Sequence, residues 1–324
     1  MIRRKTGYLG WMELRDGGVG RAAWRLPYVA ERVGGAGAAR RVAQVVGRLE
    51  GARRGGVHRV ATRISPRLAD RNPELVKISP DWAVDAIDVR RHGLRLQLDL
   101  RDNLQAVLYY AGRYEPTTSR FLTAELRAGD VMLDIGANIG LHTLGVARRL
   151  RELSSGRVIA FEPAEDSLAK LQEAAERNGL DELIDTVPAA LGDRTQEAAL
   201  HADSRYDVAD TGVRSLSADG EVVQQVTVVR LDDWARANDL NRLNLVKIDV
   251  EGAELDVLRG AAHTLTRLRP RAILVEDKLE DQRSRLYEVL DELGYRPTGD
   301  LLDHNRLFRR DRSLKASTGR HSLR

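Results

Sequence analysis

The stretch 130–150, "DVMLDIGANIGLHTLGVARRL", places an acid, two glycines and an asparagine at alternate positions: Asp134-x-Gly136-x-Asn138-x-Gly140. It reads as a buried strand, a glycine turn and a helix. Glycines in such a turn let the backbone approach a ligand closely. A dinucleotide-binding turn requires Gly-x-Gly-x-x-Gly, but Asn138 and Leu141 stand where its second and third glycines belong. A phosphate-binding P-loop ends in Gly-Lys-Ser/Thr, whereas Gly140 is followed by Leu141 and His142. What remains is recognition without a phosphate. Asp134, at the strand end, can pair with an ammonium group. Glu162, which ends the next apolar run in "RVIAFEP", can accept both hydroxyls of a ribose. A ligand that joins a ribose to a cationic amino acid and carries no phosphate is S-adenosylmethionine. The plainer alternative is a tight strand–helix turn with Asp134 as a helix cap.

Between residues 130 and 310 strands alternate with helices. "VMLDIG", "RVIAFEP", "LIDTVPAAL", "LNLVKIDVEG" and "RAILVE" read as five strands. "IGLHTLGVARRLRE", "AEDSLAKLQEAAERNGL", "GAELDVLRGAAHTLTRL" and "DQRSRLYEVLDELGY" read as helices, the second stopped by Asn178-Gly179. Such alternation implies an α/β fold with a doubly wound, mostly parallel sheet covered on both faces. Ligands of such sheets lie at the carboxyl ends of the strands, where the strand order reverses. Upstream, "DAIDVRRHGLRLQLDLRDN" alternates apolar and polar residues around "HG" and reads as a hairpin, and "TTSRFLTAELRAGD" reads as a helix ending at Gly129.

Taken together, "VMLDIGANIGLHT", "VIAFEP", "DTGVRSL", "VTVVRLDDW", "LNLVKIDVEGAELDVLRGA" and "RAILVE" resemble the FkbM family of S-adenosylmethionine-dependent methyltransferases over roughly residues 105–310. The resemblance implies the class I methyltransferase (Rossmann-like) fold, whose parallel sheet ends in an antiparallel C-terminal hairpin. It also implies methyl transfer to oxygen, commonly a hydroxyl of a sugar, polyketide or other secondary metabolite. By the same resemblance Asp134, Gly136, Asn138 and Gly140 border the methionine part of the cofactor and Glu162 holds the ribose. Ala189 and Ala190 fall where the adenine is usually touched, although "VPAALGD" departs from the family there. Asp249, Glu251 and Gly252 match its Ile-Asp-Val-Glu-Gly at the end of the fourth strand, facing the methyl group. Glu115, in "RYEP", precedes the cofactor turn and is expected to help close the site.

Methyl transfer requires in-line alignment of an oxygen with the sulfur–methyl bond and removal of the hydroxyl proton by a base or a metal. Asp249, Glu251 and His142 are the candidate catalytic groups, with Asp249 best placed by the fold. Asp249, Glu251 and Glu276 can surround a hard cation such as Mg2+, but the spacing does not require one, so no metal ligand is assigned. Glu254 is read as a carboxylate at a helix start. Asp232 or Asp233 in "LDDW" is read as a helix cap.

With 324 residues, 42% of them hydrophobic and 31% charged, the chain is long enough for a large core. No run approaches the ~18 apolar residues of a membrane span. Residues 1–75 are rich in Arg, Gly and Ala and read as a basic helical or partly disordered extension. Residues 76–310 form the methyltransferase domain, and 311–324 a disordered basic tail. The absence of cysteine excludes thiolate catalysis and disulfides and favours a cytoplasmic setting. The net charge of +4 sits largely at the two ends, which keeps nucleic acid in view as a partner, but basic residues in the core are matched by acidic ones, so nucleic acid is disfavoured and a small-molecule acceptor is expected. Acceptor pockets are expected from the irregular segments near 76–125, 200–225 and 295–310. RNA methylation is the competing reading, yet no Asn/Asp-Pro-Pro-Tyr/Phe tetrapeptide is present. A non-catalytic S-adenosylmethionine-binding protein is the third.

Overall fold

The computed structural model describes residues 87–99, 102, 104–105, 108–109, 112–202, 211–216, 220–277 and 280–311. The expected extension at 1–75 and the tail beyond 311 lie outside the described residues. The chain clusters into two compact units, residues 1–87 with 98–113 and residues 88–97 with 114–324. The second carries the site.

The first hairpin is present as read, with β1 (Ile87–Arg91) and β2 (Leu94–Leu98) joined by the turn at His92-Gly93. Helix α1 (Pro116–Glu125) follows and stops four residues short of Gly129, because Leu126 is already extended. Next come β3 (Val131–Ile135), α2 (Leu141–Glu152), β4 (Arg157–Phe161), α3 (Glu165–Arg177) and β5 (Ile184–Val187). Strands β6 (Ala190–Leu191), β7 (Gln196–His201) and β8 (Val222–Val229) follow, then α4 (Leu231–Ala237) and β9 (Leu245–Ile248). The chain continues through α5 (Glu254–Gly260), α6 (Ala262–Leu268), β10 (Ala272–Glu276), α7 (Glu280–Glu292), β11 (Tyr295–Leu302) and β12 (Asn305–Arg310).

Among the described residues the main sheet runs β11-β12-β10-β9-β3-β4-β5. Strands β10, β9, β3, β4 and β5 are parallel, and β12 runs antiparallel to both β10 and β11. A parallel sheet that ends in an antiparallel C-terminal hairpin is the class I methyltransferase fold that the resemblance implies. The order reverses between β3 and β9, which puts the turn after β3 and the turn after β9 side by side. All five residues of β3 are buried, as are all five of β10, which suits strands covered on both faces.

Strand alternation divides the two faces chemically. Val131, Leu133 and Ile135 of β3, Val246 and Ile248 of β9, and Ile273 and Val275 of β10 join one apolar cluster with Leu258, Leu265 and Leu290 of α5, α6 and α7. The residues between them, Asp134, Lys247 and Glu276, point to the opposite face. Burying these charged groups there is costly unless each finds a partner.

Three expectations change. The third strand is split after Val187: β5 stays in the main sheet, while β6 joins a separate sheet of order β6-β8-β7. Pro188 between them has no N–H to give to a ladder. The helix expected through "GAELDVLRGAAHTLTRL" is two helices, broken at Ala261. There Gly260 meets the Gly192 carbonyl so closely that no Cβ fits. Asp232 does not cap its own helix. Its carboxylate accepts the N–H groups of His263 and Thr264 at the start of α6, at 3.2 and 2.7 Å.

One cap comes from far along the chain. Asp303, at the tip of the β11–β12 hairpin, accepts the N–H groups of Thr117 and Thr118 at 3.0 and 2.9 Å, because Glu115 at the N-cap makes no side-chain cap bond of its own. Asp303→Ala is expected to cost about 1–2 kcal/mol of stability, read as a lower denaturant midpoint. An unchanged midpoint would show that the cap carries no energy.

Candidate active site

The turn after β3 is built around close approaches. Gly136 has φ +78°, and a Cβ there would collide with the Asp249 carbonyl, so glycine lets the two turns touch. The N–H groups of Gly136 and Ala137 both donate to the Phe161 carbonyl at 3.0 Å, tying the turn to the end of β4. Asn138, also left-handed at φ +49°, donates its N–H to Glu162 Oε2 at 2.7 Å. Its own Oδ1 accepts the Ile139 N–H and the Thr211 hydroxyl. Gly140 caps α2 in the left-handed region.

Glu162 is buried, and its Oε1 accepts the Ala164 N–H at 2.9 Å. Burial raises its pKa to about 7, against the opposing pull of the Ala164 and Asn138 amides and the Arg214 guanidinium. Asp134 is 1% exposed. Its Oδ2 accepts the Thr143 hydroxyl at 2.6 Å, while its Oδ1 has no hydrogen-bond partner. The sequence reading placed an ammonium here, and the structure supplies a competitor for that role. Lys247 of β9 lies opposite Asp134 in the ladder, with Nζ 4.0 Å from that same Oδ1. Lys247 was passed over in the sequence because it interrupts an otherwise apolar strand.

Lys247 is 2% exposed and donates to Asp249 Oδ2 at 2.9 Å. Burial alone would lower its pKa, but the carboxylates of Asp249, Asp134 and Glu115 outweigh burial and hold the ammonium above its ordinary value. Asp249, Glu251 and Glu276 converge, with one oxygen of each within 4.8 Å of the others. Acidic groups gather in this way without an ion in many proteins, and they are described here as the acidic mouth. Glu251 stands at φ +51°, and its carbonyl accepts the Ser215 hydroxyl at 2.7 Å. Glu254 braces the same turn by accepting the Val250 and Gly252 N–H groups at 3.2 and 3.1 Å. These amides precede α5, so the carboxylate ties the turn rather than the helix start that was expected of it.

His142 is held at both ends of its ring. Its Nε2 lies 2.8 Å from Glu115 Oε2 and its Nδ1 3.2 Å from Ser119 Oγ, so both ring nitrogens are taken. Asn305 of β12 donates to the same Glu115 oxygen at 3.2 Å. His142 and Asn305 thus meet at one Glu115 oxygen. Beside it, the Tyr114 phenol is held well above its usual pKa by burial and then by the carboxylates of Glu115, Asp249, Glu276 and Glu251. Tyr114 thus belongs to the mouth, and only its place beside Glu115 hinted at this in the sequence. Ala190 is buried in β6, paired with Val228, and Ala189 is buried beside it.

Residues 134–297 match the profile of the methyltransferase FkbM domain, which is just over half of the chain. The chain belongs to the FkbM methyltransferase family. Among relatives of this FkbM-family chain, the hexuronic acid methyltransferase AglP of Haloferax volcanii is 28% identical over 155 residues, covering 47% of this chain and 59% of its own. The 2-O-methyltransferase NoeI of Sinorhizobium fredii is 29% identical over 214 residues, covering 59% and 80%. The 31-O-demethyl-FK506 methyltransferase FkbM of Streptomyces tacrolimicus is 30% identical over 162 residues, covering 42% and 61%. This chain thus spans about three fifths of the length of the first and third of these relatives. A solved FkbM methyltransferase from Methylobacillus flagellatus KT is 20% identical with a TM-score of 0.43, covering 62% of this chain and 49% of its own.

Proposed function

We propose that this FkbM-family chain transfers the methyl group of S-adenosylmethionine to a hydroxyl oxygen of a sugar, polyketide or similar small metabolite. The observation that carries the reading is the pair of buried carboxylates flanking the Gly136 turn. Asp134 keeps one oxygen without a hydrogen-bond partner, and Glu162 is already oriented by two backbone amides. A ribose and a cationic amino acid would satisfy both. Bound there, the cofactor supplies a sulfonium methyl, an electrophile that needs only an aligned nucleophile.

The residues of the mouth do the rest. Asp249 orients the acceptor hydroxyl and takes its proton, while the oxygen would gain the methyl group as its bond to sulfur breaks and S-adenosylhomocysteine leaves. Glu251, Glu276 and Tyr114 shape the rim around it. Two relatives support an oxygen acceptor through their names, which specify a 2-oxygen and 31-O-demethyl-FK506, and a third names a sugar acid as its substrate. Helices long and apolar enough to cross a membrane are absent among the described residues.

Calorimetry with S-adenosylmethionine, followed by transfer assays on hydroxylated glycosides and polyketides with an RNA control, tests this reading. Binding with transfer to a hydroxylated metabolite supports it. Transfer to RNA alone redirects it, and silent calorimetry ends it. Loss of turnover with a chelator and recovery with Mg2+ would give the acidic mouth to a cation.

The pKa of Glu162 adds a pH signature. An ionised carboxylate accepts from both ribose hydroxyls, whereas a protonated one must spend an oxygen as a donor. Its pKa is about 7 in the free protein, so below that value the cofactor binds with release of a proton. Affinity is expected to rise with pH toward 7 and then level off. Calorimetry at about pH 6 in two buffers of different ionisation enthalpy reads the released proton. Equal heats in both would show that Glu162 does not titrate on binding.

A further inference from the structure

We propose that Lys247 is a positioning residue that serves both halves of the site, clamping Asp249 at the acceptor mouth while leaving an oxygen of Asp134 open to the cofactor. The inference rests on the methyl-transfer reading above and assigns a part to a residue which that reading does not use. Its starting point is an anomaly of burial. Strand β9 is buried along its whole length, and Lys247 is the charged residue within it. An apolar side chain of similar length would fill that space without a charge to compensate. An ammonium kept there needs close partners.

The partners are arranged unequally. The ladder sets Asp134 directly across from Lys247, which would make it the natural counter-ion. Nζ instead lies 2.9 Å from Asp249 Oδ2 and 4.0 Å from Asp134 Oδ1. The bond therefore runs along the strand, to a residue at the mouth, and the gap falls on the cofactor side. Around this cation stand Asp134 from β3, Asp249 from the turn after β9 and Glu115 from the segment before α1. Around Asp249 stand Lys247, Glu251, Glu276 from β10, Tyr114 and Glu254. Among the described residues, Lys247 is the cation that lies against carboxylates on both sides, so one buried atom fixes the distance between the two half-sites. A small displacement at a reacting centre can cost on the order of 100-fold in rate.

The test uses the full chain with Lys247→Met, Lys247→Arg, Asp249→Asn and the double variant Lys247→Met/Asp249→Asn. Lys247→Met is expected to lower kcat about 100-fold while the acceptor KM moves less than about 3-fold. Lys247→Arg is expected to recover most of that loss, because the charge remains. In the Asp249→Asn background, Lys247→Met is expected to cost less than about 3-fold more, because residues that act as a unit are not additive. Equal losses in both backgrounds, or an unchanged kcat in Lys247→Met, would overturn the proposal.

If Lys247→Met alone fails to fold, the comparison within the Asp249→Asn background still decides, since the double variant removes both charges together. Denaturant midpoints of the four proteins read the same coupling without any acceptor. Lys247→Met is expected to lower the midpoint in the Asp249 protein and to lower it much less in the Asp249→Asn background; equal shifts would refute the clamp. Failure of the methyl-transfer reading appears elsewhere, as a wild-type protein that gives no heat with S-adenosylmethionine.

Discussion

Asp249→Asn is expected to bind S-adenosylmethionine nearly normally and to transfer its methyl group ~100- to 10,000-fold more slowly, the usual consequence of removing a general base. Asparagine keeps the shape of the side chain and its place beside Lys247, and loses the charge that takes the proton. The cofactor's own expected contacts, Asp134 on β3 and Glu162 just after β4, are left intact by the substitution. The change therefore falls on turnover rather than on cofactor affinity. Single-turnover methyl transfer at saturating cofactor checks it. A rate near that of the wild type would remove Asp249 from proton transfer and direct attention to Glu251.

Glu162→Ala is expected to weaken S-adenosylmethionine by roughly 1.5–3 kcal/mol, the range for hydrogen bonds to a charged group, which is about 10- to 150-fold in affinity. The loss belongs near the upper end. Removing the carboxylate also releases the Asn138 and Ala164 amides, which it now orders at 2.7 and 2.9 Å. Glu162→Gln separates the two effects, because it keeps an acceptor oxygen and gives up the charge. Calorimetry on variants shown to be folded by circular dichroism reads the result. Wild-type affinity in folded Glu162→Ala would place the cofactor elsewhere.

The frame was legible where periodicity is strong. The apolar run of β3, the Asn178-Gly179 stop of α3 and the His92-Gly93 hairpin all stand where the pattern placed them. Boundaries failed where one residue outweighs a pattern, as at Pro188 and at the Gly260–Ala261 break. The side sheet of β6, β8 and β7 was not read, because β8 has exposed and half-buried residues over most of its length and pairs with segments far from it in sequence.

The candidate site divides in the same way. Its acids and glycines were visible because their spacing is local. Its braces were not: Lys247 was hidden in an apolar run, and Ser119 on α1 lies 23 residues before its partner His142. Asp303 and Asn305 lie 186 and 190 residues beyond the groups they hold, Thr117 and Glu115. No window of sequence contains both ends of such a bond.

That separation gives the site an order of assembly. The turn of Gly136 and the carboxylate of Glu162 need only β3, β4 and the residues between them, and both emerge early from the ribosome. Glu115 precedes all of these, yet the Asp303 cap of its helix and the Asn305 amide that bonds it belong to the last hairpin synthesised in the described fold. Long-range closure of this kind is slow because the loop must be ordered before the contact rewards it. A nascent chain halted after β10 would already contain the Gly136 turn and Glu162 and would still lack the hairpin that braces Glu115.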